Sequence, residues 1–168
     1  MRNEAQRPHG LARRCTRNAH AHAKPHQHQH HTQQVFDRRL KATQRDAAAR
    51  NQQAHRYDYL KDEIAHRLVD RLDDIHATYT FPHAVDLGAG SGHVRRALAE
   101  LAERRKIASL TEYDASREAL ARSAADAAAT TTSHAFERLE QRHVDEEDVE
   151  LEPASCNLIL SSMALHWV

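Results

Sequence analysis

The stretch AVDLGAGSGHVRRALAELA, residues 84–102, decides the reading of this chain. A short apolar run from Ala84 to Leu87 leads directly into Gly88, Gly90 and Gly92. Beyond the glycines, Val94, Ala97, Leu98, Leu101 and Ala102 recur at i, i+3, i+4, i+7 and i+8. That spacing predicts an amphipathic helix, with Arg95, Arg96, Glu100 and Glu103 facing away from the core. A glycine turn between a strand and a helix lets the chain reverse tightly and brings backbone N–H groups up to a ligand at the helix N-terminus. A dinucleotide fingerprint, G-x-G-x-x-G, would need its third glycine at position 93, where His93 stands, so a nicotinamide dehydrogenase is disfavoured.

Working outward, residues 108–113 read as a second strand and 116–128 as an alanine-rich helix capped by Ser116. Residues 139–144 and 156–162 read as a third and fourth strand. Strands alternating with helices predict an α/β fold with a parallel sheet and right-handed crossovers, a Rossmann-like sheet of about four strands. Ligands of such sheets bind at the carboxyl ends of the strands. Acids stand at three of those ends: Asp86, then Asp114 with Glu112 as its rival, then Asp145 and Glu146 in the run VDEE, residues 144–147. A lone carboxylate is usually a solvated surface group. Three at successive strand ends point to a ligand.

Upstream, Asp37 is a helix N-cap for a helix whose apolar face is thin, so that helix must dock on something. Tyr57, Leu60, Ile64, Leu68, Leu72 and Ile75 form a helical stripe read as core packing. The chain thus divides into a leader (1–34), a helical segment (35–80) and the glycine-loop domain (81–168). The leader holds Glu4 as its single acid against five arginines, Lys24 and seven histidines, too polar to bury a core. Its arginine-rich, acid-poor character is that of a mitochondrial transit peptide, although serine is absent. The His-rich run from His20 to His31 reads as low-complexity sequence before it reads as a metal site, since nothing there preforms a ligand geometry. With 24 basic and 24 acidic residues there is no net charge to attract nucleic acid. Cys15 and Cys156 make neither a disulfide framework nor a metal spacing. No apolar run approaches the roughly 18 residues of a membrane span.

The pattern Asp86-Leu-Gly88-Ala-Gly90-Ser-Gly92 resembles motif I of class I S-adenosylmethionine-dependent methyltransferases. The resemblance implies S-adenosylmethionine as cofactor, with Gly88, Gly90 and Gly92 forming its loop. It implies Asp86 near the amino-acid part, Asp114 on the ribose hydroxyls, and Asp145 with Glu146 near the adenine. Asp114 is preferred to Glu112 because the family places the ribose acid just before a small residue and a helix cap, here Ala115 and Ser116. Residues 35–50, the run YDYL at 57–60, and the closing LSSMALHWV, residues 160–168, are similar to the arginine-hydroxylase branch that assembles mitochondrial complex I. That likeness implies a complex I subunit as protein substrate, residence on the matrix side of the inner membrane, and peripheral membrane association without a span. The family's sheet has seven strands, so four would make this chain the front of the domain, inactive alone. Methyl transfer needs donor and acceptor held in line rather than an acid or base, and no catalytic residue is assigned. His166 and Trp167 either face the acceptor or pack in the core. The alternatives left open are a small-molecule or carboxyl methyltransferase and a non-catalytic assembly scaffold.

Overall fold

The computed structural model describes residues 35–168, so the leader and its His-rich run lie outside the described residues. Asp37 accepts a hydrogen bond from the Leu40 N–H at 3.0 Å and caps α1 (Arg38–Arg50), as its residue type predicts. A 3₁₀ turn, Ala54–Tyr57, leads into α2 (Asp58–Asp70), and another, Arg71–Asp74, closes it. The apolar stripe read from Tyr57 to Ile75 is corrected here. Ala65, Val69 and Leu72 are buried, whereas Tyr57, Leu60 and Ile75 are exposed. Within α2 the buried face is Ala65 and Val69, one residue round the helix from Leu60, Ile64 and Leu68, so the most apolar row is not the row that faces the core.

The remaining elements alternate as expected: β1 (His83–Leu87), α3 (His93–Ala99), α4 (Ala102–Arg105), β2 (Ser109–Asp114), α5 (Arg117–Ala129), β3 (Arg138–His143) and β4 (Leu158–Leu160). Every strand pairing is parallel, and the order is β3-β2-β1-β4. After β3 the chain returns to the far side of β1. The sheet's order therefore reverses at β1, the position where parallel sheets open a crevice for ligands. The glycine loop leaves β1 at that point. One core joins the pieces: Val69 of α2 and Leu98 of α3 pack with Leu110 of β2, Phe136 and Leu160 of β4.

The helix read from Val94 to Ala102 breaks at Glu100 into α3 and α4. A second correction concerns its polar face, because Arg95 points inward and is fully buried. Its guanidinium reaches Asp126 at 2.6 Å and lies 3.4 Å from Glu112, which Ser123 and Gln141 also bond. Room for it exists because Gly92 has no side chain: a Cβ there would stand 2.5 Å from Ser123 Oγ and 2.7 Å from Arg95 Nη2. Arg96 stays partly exposed and pairs with Asp62 at 2.7 Å.

Removing one partner from a buried ion pair strands the other charge, which costs about 3–5 kcal/mol. Arg95→Ala is expected to lower stability by about that amount, and Arg96→Ala by about 1 kcal/mol or less. Urea denaturation of the two variants checks the difference.

Candidate cofactor site

The glycine loop is pinned to the end of β2 by backbone bonds. The N–H groups of Gly88 and Ala89 both donate to the Tyr113 carbonyl, at 2.8 and 3.0 Å. Gly90 N–H donates to Asp114 Oδ2 at 2.8 Å. All three glycines take positive φ, of 75°, 58° and 78°, which a side chain resists. Their surroundings differ. A Cβ on Gly88 would overlap that of Ala164 and lie 3.3 Å from Glu146 Oε1, whereas a Cβ on Gly90 would meet nothing within 4 Å. Gly88 is thus a packing glycine, Gly92 makes room for Arg95, and Gly90 faces open space.

The acids at the strand ends have unlike environments. Asp86 is fully buried and neither carboxylate oxygen has a hydrogen-bond partner. Desolvation pushes its pKa well above the usual carboxylate range, and the nearby Glu112 and Asp114 push it further. Asp114 is also fully buried but well bonded: Ser116 N–H donates to Oδ1 at 2.7 Å, and Gly90 N–H and Arg45 Nη2 donate to Oδ2. Burial still raises its pKa, against Arg45 and the two amides. The rival acid Glu112 is engaged with Ser123, Gln141 and Arg95 between the sheet and the helices. Asp145 is clamped by Arg38, whose Nη2 donates to Oδ1 at 2.6 Å; burial opposes ionisation there, but this bond holds the pKa low. Glu146 is buried and bridges two arginines, Arg38 and Arg45, at 2.5 Å each.

A cavity of about 410 Å³ lies over the loop, within the roughly 300–1,000 Å³ usual for ligand sites. Gly88, Ala89, Gly90 and Ser91 form one wall; Arg38, Lys41 and Arg45 of α1 form another. Gly92, Asp86, Asp114, Asp145 and Glu146 are not among the residues that line the cavity. The three basic residues were missed by sequence reasoning. Their spacing of i, i+3 and i+7 puts them on one helix face, and the complementary acids at 145–147 were the signal available. Trp167 also lines the cavity, its ring edge-on to Phe36 at 5.8 Å with Lys41 Nζ 3.8 Å from its centroid. His166 and Trp167 do not pack in the core: both are exposed. His93 borders the cavity too, its Nδ1 2.8 Å from Asp62, and burial lowers its pKa.

A parallel sheet reversing at β1, a glycine loop at that reversal and an acid on the next strand end define a Rossmann-like cofactor domain, and a third glycine at 92 rather than 93 sets it with the S-adenosylmethionine-dependent methyltransferases rather than the dinucleotide binders. A family model described as a methyltransferase domain matches residues 85–168, half of the chain, and the chain belongs to that family. It is similar to the mitochondrial arginine-hydroxylase NDUFAF5 of Homo sapiens, with 34% identity over 137 residues that make up 82% of this chain and 35% of the relative. The Mus musculus counterpart is 32% identical over 80% of this chain and 35% of its own length. The chain therefore spans about a third of the length of these relatives. A Methanococcus maripaludis structure assigned as an S-adenosyl-L-methionine-dependent methyltransferase shares the fold, with a TM-score of 0.54, 16% identity and coverage of 79% of this chain and 53% of that one.

The residues fit that class's cofactor. Asp114 offers a fixed carboxylate for a diol, Gly90 leaves a cradle that a Cβ would fill, and Asp86 is an orphaned buried acid that a cationic group would satisfy.

A buried carboxyl whose folded pKa is raised binds its proton in the native state but loses it when unfolded, so stability falls as pH climbs above the ordinary carboxylate range. Asp86→Asn removes that loss. The variant is expected to be more stable than the natural chain at neutral pH, with the difference closing in acid. Urea midpoints across a pH series test this, and a difference that does not vary with pH would contradict it.

Proposed function

We propose that the chain binds S-adenosylmethionine with its ribose hydroxyls on Asp114, its amino-acid part toward Asp86, and its adenine toward the Asp145–Glu146 turn. The observation that carries this is the Asp114 carboxylate, held by two backbone N–H groups at the foot of the glycine loop. Bound there, the cofactor supplies a sulfonium whose methyl group is open to displacement. This chain's residues orient it: Gly90 leaves room, Asp114 fixes the sugar, and α1 covers the cavity.

At the level of the whole protein, we propose an arginine-hydroxylase-like, protein-modifying enzyme that acts on a complex I subunit at the matrix side of the mitochondrial inner membrane. Support comes from the identity with the mitochondrial arginine-hydroxylases of human and mouse over about four-fifths of this chain. Association with the membrane would be peripheral; among the described residues no helix is long and apolar enough to cross it. The family match favours a second reading, transfer of the methyl group to an acceptor. Mass spectrometry of complex I subunits after gene disruption separates the two. Loss of an arginine oxygen supports the first, and an unchanged arginine with loss of a methyl mark elsewhere supports the second.

Asp114→Ala deletes the charged acceptor of the ribose hydroxyls, each such bond being worth roughly 1.5–3 kcal/mol. The affinity for S-adenosylmethionine is expected to fall by about tenfold or more, measured by calorimetry. An unchanged dissociation constant would remove Asp114 from the site.

A further inference from the structure

Helix α1 meets the sheet through charge. Arg38 is its fixed point: Nη2 donates to Asp145 and Glu146 at 2.6 and 2.5 Å, Nε to Asp145 at 3.0 Å, and Nη1 to the Trp167 carbonyl at 2.7 Å. Arg45, two turns on, is held more lightly and is 28% exposed. Its Nη1 donates to Glu146 Oε1 at 2.5 Å and its Nη2 to Asp114 Oδ2. It stands between the cavity, which it lines, and the two acids, which have almost no exposure of their own.

An ionised carboxylate offers about four acceptor positions. On Asp114, Ser116 N–H takes one on Oδ1, while Gly90 N–H and Arg45 take two on Oδ2. One position is left. A sugar diol gripping this carboxylate through both hydroxyls needs two. Gly90 and Ser116 are backbone donors fixed by the loop and by the α5 cap, so Arg45 is the donor that can leave. Its departure does not strand Glu146, which keeps Arg38 on its other oxygen. Nor does it require α1 to lift, because Arg38 anchors that helix independently.

We infer that Arg45 is a displaceable internal counter-ion of the ribose site: it neutralises Asp114 and Glu146 while the cavity is empty and is expelled when the two sugar hydroxyls arrive. The inference rests on the S-adenosylmethionine reading and deepens it. Empty-site stability and cofactor affinity are then opposed at a single side chain. Arg45 keeps a buried acid from standing unpaired and charges the incoming ribose for its removal.

Adenosine, which carries the diol without the amino-acid part, and 2′,3′-dideoxyadenosine, which lacks both hydroxyls, test this by calorimetry on the full 168-residue chain. The natural chain is compared with Arg45→Met and Arg45→Gln at mildly alkaline pH, because burial raises the Asp114 pKa. Both variants are expected to bind adenosine more tightly, by about tenfold, since the competing charge-assisted bond is gone. Neither should gain affinity for dideoxyadenosine. Without ligand, both should melt at lower temperature, and adenosine should restore more of that loss than it adds to the natural chain. Adenosine binding that is unchanged or weaker in variants with native dichroism would overturn the counter-ion role and leave the cofactor reading standing. Equal gains for both nucleosides would overturn it too, by showing relief of crowding rather than of competition. Absence of adenosine and S-adenosylmethionine binding in all three proteins would overturn both.

Discussion

Asp86, Glu112 and Asp114 lie fully buried on one face of two neighbouring strands, with Asp86 directly opposite Glu112 in the register. Three carboxyl groups so placed, away from water, would repel one another and forfeit their hydration. Much of the polar architecture answers this constraint. Arg95 is drawn into the core beside Glu112, Ser123 and Gln141 bond the same carboxylate, and the α5 cap and the glycine loop each give an amide to Asp114. Gly92 is needed because the arginine occupies the volume a side chain would take. Positions that look like loop grammar in the sequence are, in three dimensions, the solvation shell of a buried acidic cluster.

The same constraint explains how α1 is held. A helix with so thin an apolar face cannot be fixed by hydrophobic burial alone. Arg38 and Arg45 meet the acids at 145, 146 and 114, while Asp46 accepts from the Ser116 hydroxyl and Arg50 reaches Glu118 on α5. Exposed pairs such as Arg50 with Glu118 add little, but those of Arg38 and Glu146 are largely dry and set where the helix lies. The roof of the cavity is therefore held by an electrostatic contact.

What the sequence disclosed follows the range of the forces involved. The glycine loop and its strand, displayed by residues 84–102, depend on local periodicity and turn chemistry, as do the capping roles of Asp37 and Ser116 and the alternation of strands and helices read further along the chain. The family was legible there as well. Arg95 was placed on the wrong face because a helical wheel ranks residues by polarity, whereas its position is decided by Glu112, seventeen residues on in another element. The stripe from Tyr57 to Ile75 misled because the face of α2 that packs on the core centres on Ala65 and Val69, one residue round from the larger apolar side chains. Arg38 and Arg45 escaped notice because their acidic partners lie 69 to 108 residues away, and only complementary charge linked those segments.

Asp86 is the member of the cluster that the protein leaves unanswered. Glu112 has an arginine, a hydroxyl and an amide; Asp114 has two backbone donors and Arg45; Asp86 has no hydrogen bond on either oxygen. An unsatisfied buried carboxyl costs about 1–3 kcal/mol or more. Its preference for the protonated form keeps the empty state tolerable, and a cation arriving beside it would restore its charge and gain the interaction the fold withholds. The unpartnered carboxyl of Asp86 on β1 and the open space at Gly90 lie four residues apart, on the strand and on the loop that leaves it.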